Sequence, residues 1–80
     1  MTRKISVIAK EIERDWTRPY FGAVPYLEAM RTLDTVDQHY GVDSAVEIIV
    51  RFLSNARTWR GEFAKRIKKE LNDMVKGKSF

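Results

Sequence analysis

The chain contains no cysteine and a single histidine among its 80 residues. Without thiols there is no disulfide, no thiolate metal site and no thiol nucleophile. The staples of many small secreted domains are therefore missing, and a reducing, cytosolic setting is the simpler expectation. Only four glycines and two prolines occur, with no glycine-rich phosphate loop, no low-complexity tract and no internal repeat. No apolar run approaches the roughly 20 residues that span a bilayer. Met1-Thr2-Arg3-Lys4-Ile5-Ser6-Val7-Ile8-Ala9-Lys10-Glu11 opens like a secretory signal, but charge returns at Lys10 before an adequate apolar stretch has formed. A soluble protein that does not enter membranes is expected.

The same poverty argues against catalysis. His39 has Asp37 for a neighbour, yet no carboxylate pair or His/Asp/Glu cluster stands at a catalytic or metal-binding spacing. The expectation is a protein that is not an enzyme, with no metal site and no cofactor.

Charge is abundant and unevenly placed. Residues 1–24 carry five basic and three acidic groups, residues 25–50 one and five, and residues 51–80 nine and three, so the balance runs +2, −4, +6. Either the acidic middle packs beside the basic end, or the basic end faces an anionic partner.

Apolar periodicity predicts an all-α fold, a compact bundle of about four helices over roughly residues 3–16, 25–39, 45–55 and 60–75. In the first, Ile5, Ile8, Ala9, Ile12 and Trp16 share one face, and Thr17-Arg18-Pro19 ends it because proline disfavours helix in the residue before it. Tyr20-Phe21-Gly22-Ala23-Val24 follows as an apolar connector, and Pro25 suits the first turn of the second helix. That helix places Tyr26, Ala29, Met30, Leu33, Val36 and Tyr40 on one arc with Asp37 at its edge, and Gly41 is suited to a left-handed C-terminal cap. Ser44 and Glu47 fit a capping box for the third helix. Its residues Ala45, Val46, Ile48, Ile49, Val50, Phe52, Leu53 and Ala56 cover more than half the circumference, as a central, buried helix requires. Phe63, Ala64, Ile67, Leu71, Met74 and Val75 line the fourth, where Glu62, Arg66 and Glu70 stand at i, i+4 spacings that favour ion pairs. One domain, 1–80, with a frayed tail at about 76–80, completes the expectation. It is near the lower size limit for a single core, so a homo-oligomer is a live alternative to a monomer.

The stretch between the last two helices is the candidate site. Arg57, Trp59, Arg60 and Gly61 sit together there, and Lys65 and Lys68 follow on the helix. If the fourth helix reached back to Arg60, that guanidinium would project onto the apolar face, where an unpaired charge costs several kcal/mol. So the helix begins after Arg60, or Arg60 is held by Asp37, by Asp34 or by a bound anion. Arg57 and Arg60 would then hold phosphate, Trp59 would stack on a base, Gly61 would allow close approach, and Lys65 or Lys68 would complete the field. The competing account packs Trp59 on the core, pairs Arg60 with a carboxylate and uses Gly61 to relieve a tight helix crossing. A helix-turn-helix reading over Ala45–Leu71 also fits the basic charge. Its exposed face lacks the Asn, Gln, Ser and Thr that commonly join Arg in reading bases.

Phe52-Leu53, Asn55-Ala56, Trp59-Arg60-Gly61-Glu62, Ala64-Lys65-Arg66-Ile67-Lys68 and Glu70-Leu71, with Tyr20 to Met30 and Tyr40 to Ser44 upstream, resemble a pattern in small bacteriophage and prophage proteins. The resemblance implies a non-enzymatic phage accessory protein in the host bacterial cytoplasm, and it assigns no site residues. Such proteins often act by occupying a host factor or a nucleotide signal. The leading expectation is accordingly an anionic, nucleotide-type ligand, with sequestration of a host defence signal as its use. The alternatives are a protein-binding inhibitor of a host defence factor and, third, a nucleic-acid-binding helical protein.

Overall fold

The computed structural model describes residues 3–77. Four helices, α1 (Ile5–Asp15), α2 (Val24–Met30), α3 (Ala45–Ser54) and α4 (Glu62–Lys76), pack together. A 3₁₀ turn, Phe21–Ala23, leads into α2, and a small antiparallel hairpin of β1 (His39–Tyr40) and β2 (Asp43–Ser44) precedes α3. The fold is thus mostly helical, as expected, but not purely α.

Three of the four helices follow their apolar periodicity closely. Ile5, Ile8, Ala9 and Ile12 of α1, Ile48, Ile49 and Phe52 of α3, and Ala64, Ile67 and Leu71 of α4 are all essentially inaccessible to water. α3 lies against both α2 and α4, and α1 against α2 and α4, so the core sits where the four meet. Ser44 caps α3 as its sequence predicts: its hydroxyl oxygen accepts the Glu47 N–H at 3.1 Å. Central as it is, α3 is less enclosed than its composition suggests, since Val50 is 48 % exposed and Val46 and Leu53 only partly buried.

The second helix departs from expectation: it stops at Met30 instead of running to residue 39. The reason lies at Thr32, whose N–H and hydroxyl both donate to the Ala29 carbonyl, at 3.1 and 2.8 Å, while the Leu33 N–H bonds Met30 at 3.1 Å. The ladder thereby tightens from i, i+4 to i, i+3 and the chain turns away, a local competition that threonine is prone to win. The released strand then serves α1. The Leu33 and Asp34 carbonyls accept the Ser6 and Ile5 N–H groups at 2.7 and 3.0 Å, satisfying donors that a helix start leaves without partners. Leu33 stays buried and Val36 partly so, which meets the demand of the apolar arc without a helix. Gln38 holds the loop through its side-chain oxygen, which accepts the Asp34 and Thr35 N–H groups at 2.5 and 3.2 Å. Asp37 and Tyr40, predicted on or beside a helical face, lie exposed in this loop and in β1.

Gly41 does adopt a left-handed conformation, φ 64°, but in the hairpin loop and not as a helix cap. With no positive φ at Val42, the two-residue loop has the pattern of a type II′ turn, matched to hairpin twist. At the carboxyl end, Lys76 belongs to α4, although a frayed tail is predicted from there; residues 78–80 of that tail lie outside those described.

Candidate cationic surface

The link from α3 to α4 is short and tightly tied. Asn55 closes α3, its N–H reaching the Phe52 carbonyl at 2.9 Å and its side-chain Nδ2 donating to Arg51 at 2.8 Å. A turn over Ala56-Arg57-Thr58-Trp59 follows, closed by the Trp59 N–H to Ala56 carbonyl bond of 3.1 Å. Gly61 then reverses the chain into α4 at φ 115° and ψ 172°, a region open essentially to glycine alone. A methyl group added there would meet nothing within 4 Å. Backbone strain is therefore the only penalty of Gly61→Ala, and a stability loss of about 1–3 kcal/mol is expected by urea unfolding.

Trp59 faces inward. It is 2 % exposed, stacks on Trp16 with centroids 5.8 Å apart and planes at 14°, and meets Phe52 and Phe63 at 6.3 and 6.4 Å. Its indole N–H donates to Asp15 Oδ2 at 2.8 Å, so α1 and the link are joined by a polar contact as well as by ring packing. Lys68 reaches back from α4 and fastens the link from the other side. Its Nζ donates to the Ala56 and Trp59 carbonyls at 2.7 and 2.6 Å and lies 5.8 Å from the Trp59 ring centroid. Desolvation in this position, and then repulsion from Arg60, pull the Lys68 ammonium below the ordinary lysine pKa.

The six residues singled out in the sequence thus separate into two groups. Trp59, Gly61 and Lys68 build the link. Arg57, Arg60 and Lys65 are exposed, and among the described residues none of them makes an ion pair. Since α4 begins at Glu62, Arg60 is outside the helix and bears no burial penalty.

Further cations, not singled out in the sequence, stand near Lys65: Arg66 lines a shallow surface with it, Glu62, Phe63 and Lys69. Arg66 lies over the Phe63 ring at 5.3 Å in place of the i, i+4 pairs expected with Glu62 and Glu70, and Glu70 is taken by Arg3. Arg3 takes Glu70 in a bidentate grip, 3.0 Å from Nε and 2.7 Å from Nη2, and reaches Glu11 at 2.6 Å through Nη1. Its guanidinium is held above the ordinary arginine pKa by Glu70 first and Glu11 second, and stays charged. Arg14, Asp15, Phe63 and Arg66 line a shallow groove of about 650 Å³ between α1 and α4 together with Arg3, Glu11 and Glu70. Arg66 was hidden in the sequence by apparent neutralisation. The tertiary pairing of Glu70 with a residue 67 positions away removes one of its two expected partners.

No carboxylate of the acidic middle pairs with Arg57, Arg60 or Lys65 among the described residues. Asp34 receives the Ser6 hydroxyl at 3.3 Å, and Asp43 and Glu47 share Arg51. Apart from Arg51, none of these partners comes from the basic end. Among the described residues, no group of three His, Cys, Asp or Glu side chains is placed to hold a metal ion. Nor is any helix long and apolar enough to cross a membrane. No family model matches the chain, and neither a curated protein nor a solved structure matches it.

Proposed function

We propose that this chain is a small, non-catalytic binding domain whose partner is an extended polyanion, a nucleic-acid backbone, held on the face formed by Arg57, Arg60 and Lys65 with Arg66 beside them. The observation that carries this reading is the exposure of three cations without an ion pair among the described residues, Arg57 and Arg60 on a link that Trp59 and Lys68 hold in place and Lys65 in the first turn of α4. Cations fixed on a braced loop lose little freedom on binding, and each phosphate neutralised releases condensed counterions to the solvent. A row of exposed charges suits a chain of phosphates better than a single nucleotide. Base stacking on Trp59 is not part of this proposal, because that ring is spent on Trp16, Phe52 and Phe63. In the bacteriophage setting that the sequence resembles, the nucleic acid would be that of phage or host in the bacterial cytoplasm.

Fluorescence anisotropy of labelled oligonucleotides, titrated at several salt concentrations, tests the proposal. Affinity should fall linearly on a log–log plot with a slope of magnitude about 2 or more, since at least three phosphates are met and each contributes about 0.7–0.9. Absence of binding at 50 mM salt, or affinity indifferent to salt, would overturn it.

A further inference from the structure

Two aromatic residues that the sequence placed in an apolar connector are on the surface. Phe21 is 78 % exposed and Tyr20 46 %, with ring centroids 4.8 Å apart and planes tilted by 51°. Exposed aromatics usually reflect nothing beyond geometry, but this pair is held in place. The Tyr20 ring folds back over Gly22, where a Cβ would lie 2.6 Å from Tyr20 Cε2 and 2.8 Å from Asn55 Oδ1. Only a residue without a side chain lets the ring sit there. Tyr20 also lines a shallow pocket of about 280 Å³ together with Ser54, Asn55, Arg57 and Thr58. Arg57, the first cation of the proposed binding face, therefore shares a pocket with Tyr20, whose ring in turn meets that of Phe21, and the exposed Arg18 stands two residues before Tyr20.

An aromatic surface bordered by guanidinium groups matches unpaired nucleotides. Every base has a face to stack, while the phosphates between successive bases seek cations. In a duplex those faces are already stacked on one another, so such a platform offers it little. We infer that Tyr20 and Phe21 form a base-stacking platform, and that the nucleic acid taken by this protein is single-stranded, its backbone running past Arg57 toward Arg60. This rests on the polyanion proposal and names which polyanion.

The test compares a labelled single-stranded oligonucleotide of mixed sequence with the corresponding duplex, for the intact protein and for Phe21→Ala and Phe21→Trp. Phe21 is chosen because its exposure leaves the fold little affected, which unchanged thermal unfolding would verify. Single strand should bind more tightly than duplex, Phe21→Ala should weaken it by about 5- to 50-fold with duplex affinity changed less than about twofold, and Phe21→Trp should retain it. Equal, salt-dependent binding of both forms with no effect of Phe21→Ala would overturn the platform and leave the polyanion proposal standing. Binding of neither form would overturn both. Loss of self-association in Phe21→Ala, with no oligonucleotide bound, would reassign the aromatic pair to a protein interface and overturn the platform as well.

Discussion

Trp59→Ala should be the most damaging single substitution in this region, lowering stability by about 3–5 kcal/mol, the usual cost of truncating a buried large aromatic. The indole supplies the ring stack on Trp16, contacts to Phe52 and Phe63, and the only polar tie from the link to Asp15 described for this region. An 80-residue domain has little in reserve, so the melting temperature should drop on the order of 20 °C. Trp59→Phe keeps most of the apolar volume and loses the bond to Asp15; about 1–2 kcal/mol is expected, close to one hydrogen bond plus imperfect filling. Urea unfolding of both variants checks the order. A Trp59→Ala protein of unchanged stability would mean that the ring is not part of the core and would return it to ligand contact.

Neutralising the exposed cations of the same link and of the first turn of α4 should do the reverse. The triple variant Arg57→Gln, Arg60→Gln, Lys65→Gln removes three exposed charges that have no carboxylate partner among the described residues, so its stability should stay within about 0.5 kcal/mol of the parent. Removing Arg60 also relieves repulsion on Lys68, which works in the stabilising direction. Affinity for nucleic acid is another matter. At 0.1 M salt each phosphate contact multiplies the binding constant by about 5- to 8-fold, so losing three should weaken binding on the order of 100-fold and flatten the salt slope by about 2–3. Anisotropy titrations across a salt series measure both quantities in one set of samples. An unaltered affinity and slope would place the polyanion site elsewhere, the groove bearing Arg14 and Arg66 being the next surface to neutralise. Opposite responses of Trp59→Ala and the triple variant would separate the brace from the binding face, although the residues are neighbours in sequence.

Much of the fold was legible because its information is local. The period of Ile5, Ile8 and Ile12, the Ser44/Glu47 cap and the run from Phe63 to Val75 each concern residues within a turn or two of one another. The hairpin was not legible, because Leu33 and Val36 satisfy a helical pattern equally well when an irregular strand buries them. What ended α2 was the hydroxyl of Thr32 and the N–H groups at the start of α1, distant along the chain but adjacent in the fold. The candidate site was found at the right place in the chain but with its roles mixed. Nothing in Arg57-Thr58-Trp59-Arg60-Gly61 says which side chains turn inward; Trp16 and Asp15, more than forty residues away, decide that for Trp59.

The sequence by itself determined the helical class, the position of the link between the last two helices and the accumulation of positive charge there, since composition, period and caps are properties of neighbours along the chain. Only the tertiary structure decided that Trp59 and Lys68 brace the link while Arg57, Arg60 and Lys65 face water, that Arg3 takes Glu70, and that Tyr20 comes to lie beside Arg57. Those outcomes depend on which distant groups compete for the same hydrogen bonds, carboxylates and ring faces, and that competition exists only once the helices have packed.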